Sequence, residues 1–251
     1  MRDPSGIIAK ENFDAVLFDM DGVLTATASI HADCWKEMFD DFLHRYSEKS
    51  GQAFQPFEIG SDYRLYVDGR PRYEGVRTFL ESRGIHLPEG EANDPPSMET
   101  ICGLGNRKND MVNEAIRSRG VEPFAGSVAL VRHLREGGFK TAVVSASANC
   151  QTVLEGAGIA DLFDTRIDGK VASEKNLPGK PAPDTFLAAA ELLNVPPKRA
   201  VVVEDAISGV QAGRDGNFGL VIGVSREGDP EDLRKNGADI VVNDLSEVLP
   251  R

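Results

Sequence analysis

Cysteine is scarce and poorly spaced for any shared task. Cys34, Cys102 and Cys150 are the three in 251 residues, and none sits in a C-x-x-C pair. An odd number so far apart excludes a disulfide framework and a thiolate zinc site, and fits reduced thiols in a cytoplasmic protein. No stretch approaches the roughly 18 uninterrupted apolar residues of a membrane span, so no membrane partner is expected. The opening Met1-Arg2-Asp3-Pro4-Ser5-Gly6 lacks the basic-then-apolar layout of a secretory signal. Positive charge is the minority: 28 Lys and Arg against 40 Asp and Glu leave a net charge of -12. That argues against nucleic acid as a partner, which needs a basic footprint. A small phosphorylated molecule needs only a local positive site, and an acidic chain can hold a divalent cation beside a phosphate. Aromatic residues are also few, at 7%, within an apolar content of 41% that suits one large globular domain, or a core with a smaller companion. The sequence does not reveal the oligomeric state, and a monomer is the expectation.

What is present is strongly patterned. Ala15-Val16-Leu17-Phe18 is an apolar run bounded by turn residues, which reads as a fully buried strand. From about Thr27 to Tyr46 the residues Ile30, Cys34, Trp35, Met38, Phe42, Leu43 and Tyr46 recur at helical spacing. Helices are also predicted over Gly75–Arg83, ended by Gly84, and over Lys108–Arg119, with an acidic, proline-bearing loop at 88–96 between them. No buried strand is evident from about 29 to 118. After Phe124 the texture alternates. Helices are predicted over Ser127–Glu136, Asn149–Ala157, Asp184–Leu193, Ala206–Asp215 and Pro230–Lys235. Strands are predicted over Lys140–Ser145, Ala200–Glu204, Gly219–Val224 and Ile240–Val242. Such alternation implies a parallel sheet with right-handed crossovers. The strand at 15–18 must join that sheet, because alone it has no stability. A helical domain is therefore spliced in after the first strand.

The polar residues that carry chemistry fall just past strand ends, where open α/β sheets bind ligands. Asp19-Met20-Asp21-Gly22 follows the first strand, placing one carboxylate as a nucleophile and its neighbour for proton transfer. A calcium loop begins similarly, but further oxygen ligands and a late Glu should follow; here Val23-Leu24-Thr25-Ala26 follows. Ser145 ends the second apolar strand, where its hydroxyl and the backbone N–H groups of the next helix can meet a phosphate. Ser147 reads as the cap of that helix. Lys180, in the stiff Gly179-Lys180-Pro181-Ala182-Pro183-Asp184 segment, is either a fixed cation at the sheet end or a solvated lysine. Glu204-Asp205 ends the valine-rich strand, either as a working acid pair or as an N-cap Asp205 beside an incidental Glu204. Together the alternatives narrow. Four carboxylates at one sheet end repel without a cation, and hard oxygen donors in that number suit Mg2+, with substrate phosphate as a further ligand. Lys180 offsets remaining charge and Ser145 orients a phosphoryl oxygen, which completes a kit for phosphoryl transfer through an aspartyl-phosphate.

Asp19-Met20-Asp21-Gly22-Val23, Ser145, Lys180-Pro181-Ala182-Pro183-Asp184 and Glu204-Asp205, in that order and strand context, resemble the motifs of the haloacid dehalogenase superfamily, over essentially the whole chain. The resemblance implies an α/β fold: a Rossmann-like parallel sheet core (residues 1–28 and 119–251) with an inserted α-helical cap domain (29–118). Within the superfamily the chain is most similar to the β-phosphoglucomutase-like subfamily. Thr27 to Trp35 looks like its hinge and first cap helix, with His31 and Trp35. Asn106-Arg107-Lys108-Asn109-Asp110 matches a substrate-contacting segment and points to Lys108. Ser145-Ala146-Ser147 with Asn149 matches its phosphate loop, and Arg72 falls where the subfamily places an arginine on the phosphate that is not transferred. Two positions depart from the pattern: Ala26 stands in place of an acid, and Ala148 in place of a lysine beside the phosphate loop.

By that resemblance the protein is a magnesium-dependent hexose-phosphate mutase acting on a small phosphorylated sugar. Asp19 carries the phosphoryl group, Asp21 exchanges protons with sugar hydroxyls, and Asp19, Glu204, Asp205 and the Asp21 carbonyl hold the metal. His31, Trp35, Arg72, Lys108, Ser145, Ala146, Ser147, Asn149 and Lys180 bind substrate. The rivals are a phosphatase on the same fold, which admits water to the phosphoaspartate, and a non-catalytic phosphate-binding protein.

Overall fold

The computed structural model describes residues 4–226 and 230–250. The chain divides into two compact units, one formed by Met1–Thr27 with Val121–Arg251 and the other by Ala28–Gly120. The first is α/β. Its sheet has six parallel strands, β1 (Ala15–Phe18), β2 (Lys140–Val144), β3 (Thr165–Ile167), β4 (Ala200–Glu204), β5 (Leu220–Val224) and β6 (Ile240–Val242), in the order β3-β2-β1-β4-β5-β6. β1, β4 and β5 are buried at every position, which is why they read as unbroken apolar runs rather than as alternation. The chain order reverses on either side of β1, which puts a switch point between β1 and β4. In register, Phe18 lies between Val143 and Val203. The residues that follow, Asp19, Val144 and Glu204, therefore leave the sheet side by side.

Helices α4 (Ala125–Glu136), α5 (Cys150–Gly156), α6 (Gly169–Glu174), α7 (Asp184–Leu192), α8 (Ile207–Asp215) and α9 (Pro230–Lys235) connect the strands. Phe186, Ala189 and Ala190 of α7 and Val210 and Ala212 of α8 share one core with Leu17, Val144 and Val202 of the sheet. Two of these elements, β3 and α6, are absent from the sequence expectation. β3 is three residues long, half-buried at Thr165 and Arg166, and α6 opens on a glycine; neither offers the apolar period that betrays an element.

The helical unit contains α1 (Ala28–Ser50), α2 (Arg72–Ser82), α3 (Ile101–Arg119) and a π-helical segment, Ile59–Val67, which sequence periodicity does not anticipate. In that segment the Asp68 N–H donates to Tyr63 O over five residues at 2.9 Å, and the buried Asp62 carboxylate accepts from the Glu58 N–H (2.9 Å) and from Arg83 (2.7 Å). α3 begins seven residues before the expected Lys108. Thr100 caps it by accepting from the Gly103 N–H, and Gly105 lies too close to the Tyr73 ring for a side chain (2.7 Å for an added Cβ). Packing, not propensity, places those glycines in a helix. The core is aromatic: Trp35 stacks on Phe39 (5.2 Å), and Phe39 meets Phe57 (5.1 Å) and Phe79 (4.2 Å). Among the described residues no helix is long and apolar enough to cross a membrane.

Phe79 is fully buried at the centre of this cluster. Phe79→Ala is expected to destabilise the helical unit by about 3–5 kcal/mol, read as an earlier urea transition of its tryptophan fluorescence, since Trp35 belongs to the same cluster.

Candidate functional site

β1 delivers Asp19 to the sheet end with its N–H donating to Val203 O at 2.9 Å, which fixes the backbone from which the carboxylate projects. Asp19 is 6% exposed and Lys180 3%. The Lys180 ammonium donates to Asp19 Oδ1 (2.5 Å) and to Val144 O (3.0 Å), and stands 2.5 Å from Glu204 Oε1. It therefore ties the ends of β1, β2 and β4 together. Glu204 Oε2 accepts from the Asp205 and Ala206 N–H groups, both at 3.1 Å. No donor among the described residues is aligned on Oε1, for all its closeness to the ammonium. The N-cap of α8 is Ala206, so Asp205 does not take that position.

Ligand oxygens of Asp19, Glu204 and Asp205 all fall within 4.8 Å of one another. Three carboxylates against one ammonium leave surplus negative charge in a largely buried space. Burial pushes the Glu204 carboxyl up to about 7, the nearby Asp19 charge adds to this, and Lys180 opposes it. Burial alone draws the Lys180 ammonium down, but Asp19 and Glu204 more than reverse that and leave it raised. Hard oxygens, surplus negative charge and a buried Glu204 oxygen without an aligned donor are the conditions a divalent cation relieves, so the residues fit one. The Asp21 carboxylate is not part of this cluster. Thr27 donates a short hydrogen bond to Asp21 Oδ1, and Thr25 Oγ1 lies 2.8 Å from Thr27 Oγ1.

Next to Asp19 at the sheet end, β2 leads into Ser145, whose Oγ accepts from the Ser147 N–H at 3.1 Å and keeps its own proton to donate. Ser147 Oγ accepts in turn from the Asn149 N–H at 3.2 Å. The expected Ser147 cap is thus a turn one step ahead of α5, whose N-cap position is held by Asn149. Behind this loop the Gly169 N–H donates to Ser147 O at 3.1 Å, and an added Cβ there would lie 2.6 Å from Ala146 O.

The helical unit gathers three of the expected residues. Lys108, 5% exposed, has its Nζ 2.9 Å from His31 Nδ1 and 4.7 Å from the centroid of the Trp35 ring. Burial, and then the Lys108 charge, hold His31 well below its usual pKa. It is neutral, with Nδ1 accepting and the proton on Nε2. Arg72 lies elsewhere in the unit, donating to the Tyr73 hydroxyl (2.9 Å) and Asn106 Oδ1 (3.1 Å).

Three contributors escape sequence reasoning. Thr25 and Thr27 carry only the faint signal of two hydroxyls flanking Ala26. Gly209 carries none: its Cα faces the Glu204 carboxylate across the first turn of α8, so closely that an added methyl would overlap it.

A doubly wound sheet with an aspartate after its first strand, a buried lysine and an acid pair at the same end defines a class of phosphoryl-transfer enzyme. Comparison with known proteins agrees. A family model for haloacid dehalogenase-like hydrolases matches residues 13–217. The chain is 49% identical to a β-phosphoglucomutase of Mycobacterium tuberculosis over 242 residues, covering 95% of this chain and 92% of that one. It is 29% identical to a β-phosphoglucomutase of Bacillus subtilis, covering 93% and 91%. The crystal structure of a β-phosphoglucomutase from Clostridium difficile superposes with a TM-score of 0.73 at 26% identity, covering 94% and 93%. The chain belongs to the haloacid dehalogenase superfamily of phosphotransferases, in its β-phosphoglucomutase-like subfamily.

Gly209→Ala must displace Glu204. It is expected to weaken Mg2+ binding at least about tenfold, a loss of roughly 1.4 kcal/mol, in a calorimetric titration with the metal alone. Unchanged affinity would remove Glu204 from the metal site.

Proposed function

We propose that the protein is a Mg2+-dependent β-phosphoglucomutase that converts β-glucose 1-phosphate to glucose 6-phosphate through the 1,6-bisphosphate. The observation that carries this is the unequal setting of two neighbouring aspartates: Asp19 is paired with the buried Lys180, while Asp21 accepts from the Thr27 hydroxyl. A carboxylate fixed against a cation suits a nucleophile, and one supported by neutral hydroxyls suits proton exchange.

Asp19 attacks the C1 phosphorus of the 1,6-bisphosphate, the bond from phosphorus to the sugar oxygen breaks, and that oxygen takes the proton of Asp21 as glucose 6-phosphate leaves. The 6-hydroxyl of an incoming β-glucose 1-phosphate then gives its proton to Asp21 and attacks the phosphoaspartate, which frees Asp19 and regenerates the bisphosphate. Lys180 and the Ser145 hydroxyl meet the charge on the phosphoryl oxygens. Asp19, Glu204, Asp205 and the Asp21 carbonyl would hold Mg2+, which supplies further neutralisation of that charge. The loop of Ala146, Ser147 and Asn149, with Arg72, takes the phosphate that stays, and His31, Trp35 and Lys108 serve the sugar. Keeping water from the phosphoaspartate until a sugar arrives falls to the helical unit. The choice of glucose, and of mutase over phosphatase, is supported by the 49% identical relative, which carries the mutase name over nearly its whole length.

Supplied with β-glucose 1-phosphate, Mg2+ and a trace of β-glucose 1,6-bisphosphate, the protein should form glucose 6-phosphate. Asp19→Ala should abolish the product. Inorganic phosphate without glucose 6-phosphate would make it a phosphatase instead.

A further inference from the structure

Asp21 sits in a tight turn closed on itself. Leu24 and Thr25 N–H groups both donate to Met20 O (2.9 and 3.0 Å), the Gly22 N–H donates to Thr25 O (2.8 Å), and Gly22 has a φ of 82°. These bonds occupy the Gly22, Leu24 and Thr25 N–H groups, and the Gly22 and Val23 carbonyls are met from outside the turn. Both are met by one arrangement. Arg226, two residues beyond β5, donates from Nε to Gly22 O at 3.1 Å. The Ser127 hydroxyl, fully buried in the first turn of α4, donates to Val23 O at 2.6 Å and accepts from Arg226 Nη2 at 3.3 Å. The remaining nitrogen, Nη1, pairs with Asp244 at 2.6 Å, and the guanidinium carbon lies 3.5 Å from the centre of the Phe124 ring. One planar group thus touches the Asp21 turn, the start of α4 and the residues after β6. All three of its nitrogens are committed and one face is stacked, a geometry that a lysine's single flexible ammonium does not reproduce.

None of these contacts reaches the reacting atoms, yet two of them end on the carbonyls immediately after Asp21. We propose that Arg226, seconded by Ser127, is a positioning residue that orients Asp21 for proton transfer. This rests on the role given to Asp21 under the proposed function. A misplaced proton donor harms only the steps that need one. Transfer from a sugar phosphate expels an alkoxide and needs the Asp21 proton. Transfer from acetyl phosphate to Asp19 expels acetate, a stable anion that leaves without one.

The test compares two phosphoryl donors on the full-length protein with Mg2+: β-glucose 1-phosphate with a trace of its bisphosphate, and acetyl phosphate alone. Arg226→Gln is expected to lower kcat for the sugar phosphate by about 10- to 100-fold, while the single-turnover rate at which acetyl phosphate phosphorylates Asp19, read as the first equivalent of acetate released, stays within about twofold of wild type. Ser127→Ala should show the same split to a smaller degree, and Arg226→Lys should not restore the sugar reaction. If Arg226→Gln fails to fold, Arg226→Lys and Ser127→Ala carry the comparison. Equal losses with both donors, or no loss with either, would overturn the assignment. Asp21→Asn separates the two claims: if it fails to discriminate between the donors, the role of Asp21 falls, whatever Arg226 does.

Discussion

A single ammonium group holds the working end of the sheet together. Lys180 Nζ, almost completely buried, reaches Asp19, Glu204 and the Val144 carbonyl within 3.0 Å. Removing a buried charge from such a cluster leaves its partners uncompensated, at a cost of about 3–5 kcal/mol for a typical pair. The same contacts fix where the chemistry takes place. Three strand ends converge because β1 lies between β2 and β4 in register, and the lysine arrives from outside the sheet, on the segment ahead of α7. Tertiary folding is thus the step that brings the Asp19 carboxylate and its cation together across 161 residues of sequence.

The surplus of negative charge around that ammonium makes a place that a divalent cation fits. Asp19 and Glu204 both stand against Lys180, yet Glu204 is still pushed up by its burial, and Asp205 adds a third carboxylate at the same spot. Past Asp19 the chain turns through Gly22, and the Asp21 carboxylate accepts from the Thr27 hydroxyl, which in turn meets Thr25. Two aspartates one residue apart thereby acquire different surroundings. The division of labour proposed for them follows from that difference, and Arg226 and Ser127 preserve it by holding the turn that separates them.

Much of this was legible in the amino-acid order. Strands buried on both faces leave unbroken apolar runs, so five of the six strands can be read from sequence, together with the acids, serine and lysine that follow them. β3 escapes because an edge strand of three residues, two of them half-exposed, has no pattern to display. The first turns of α3 escape because Gly105 reads as a helix breaker, whereas it is there to admit the Tyr73 ring. The π-helical segment depends on an aspartate meeting Arg83 from the far end of α2, a contact set by tertiary structure. The same holds for the supports of the site. Gly209, Thr27 and Arg226 act through approaches that no local period encodes, whereas Asp19 and Asp21 announce themselves by standing at a strand end.

The central claim is that the phosphoryl group passes through a covalent bond to Asp19. Borohydride reduces an acyl phosphate to an alcohol, so an aspartyl-phosphate trapped in this way becomes homoserine. The protein would be incubated with Mg2+ and acetyl phosphate, quenched during turnover, reduced, and its peptides mapped by mass spectrometry. Homoserine at position 19, with Asp21 unchanged in the same peptide, is the predicted result. Turnover without homoserine at 19, or with homoserine at another position, would contradict the account.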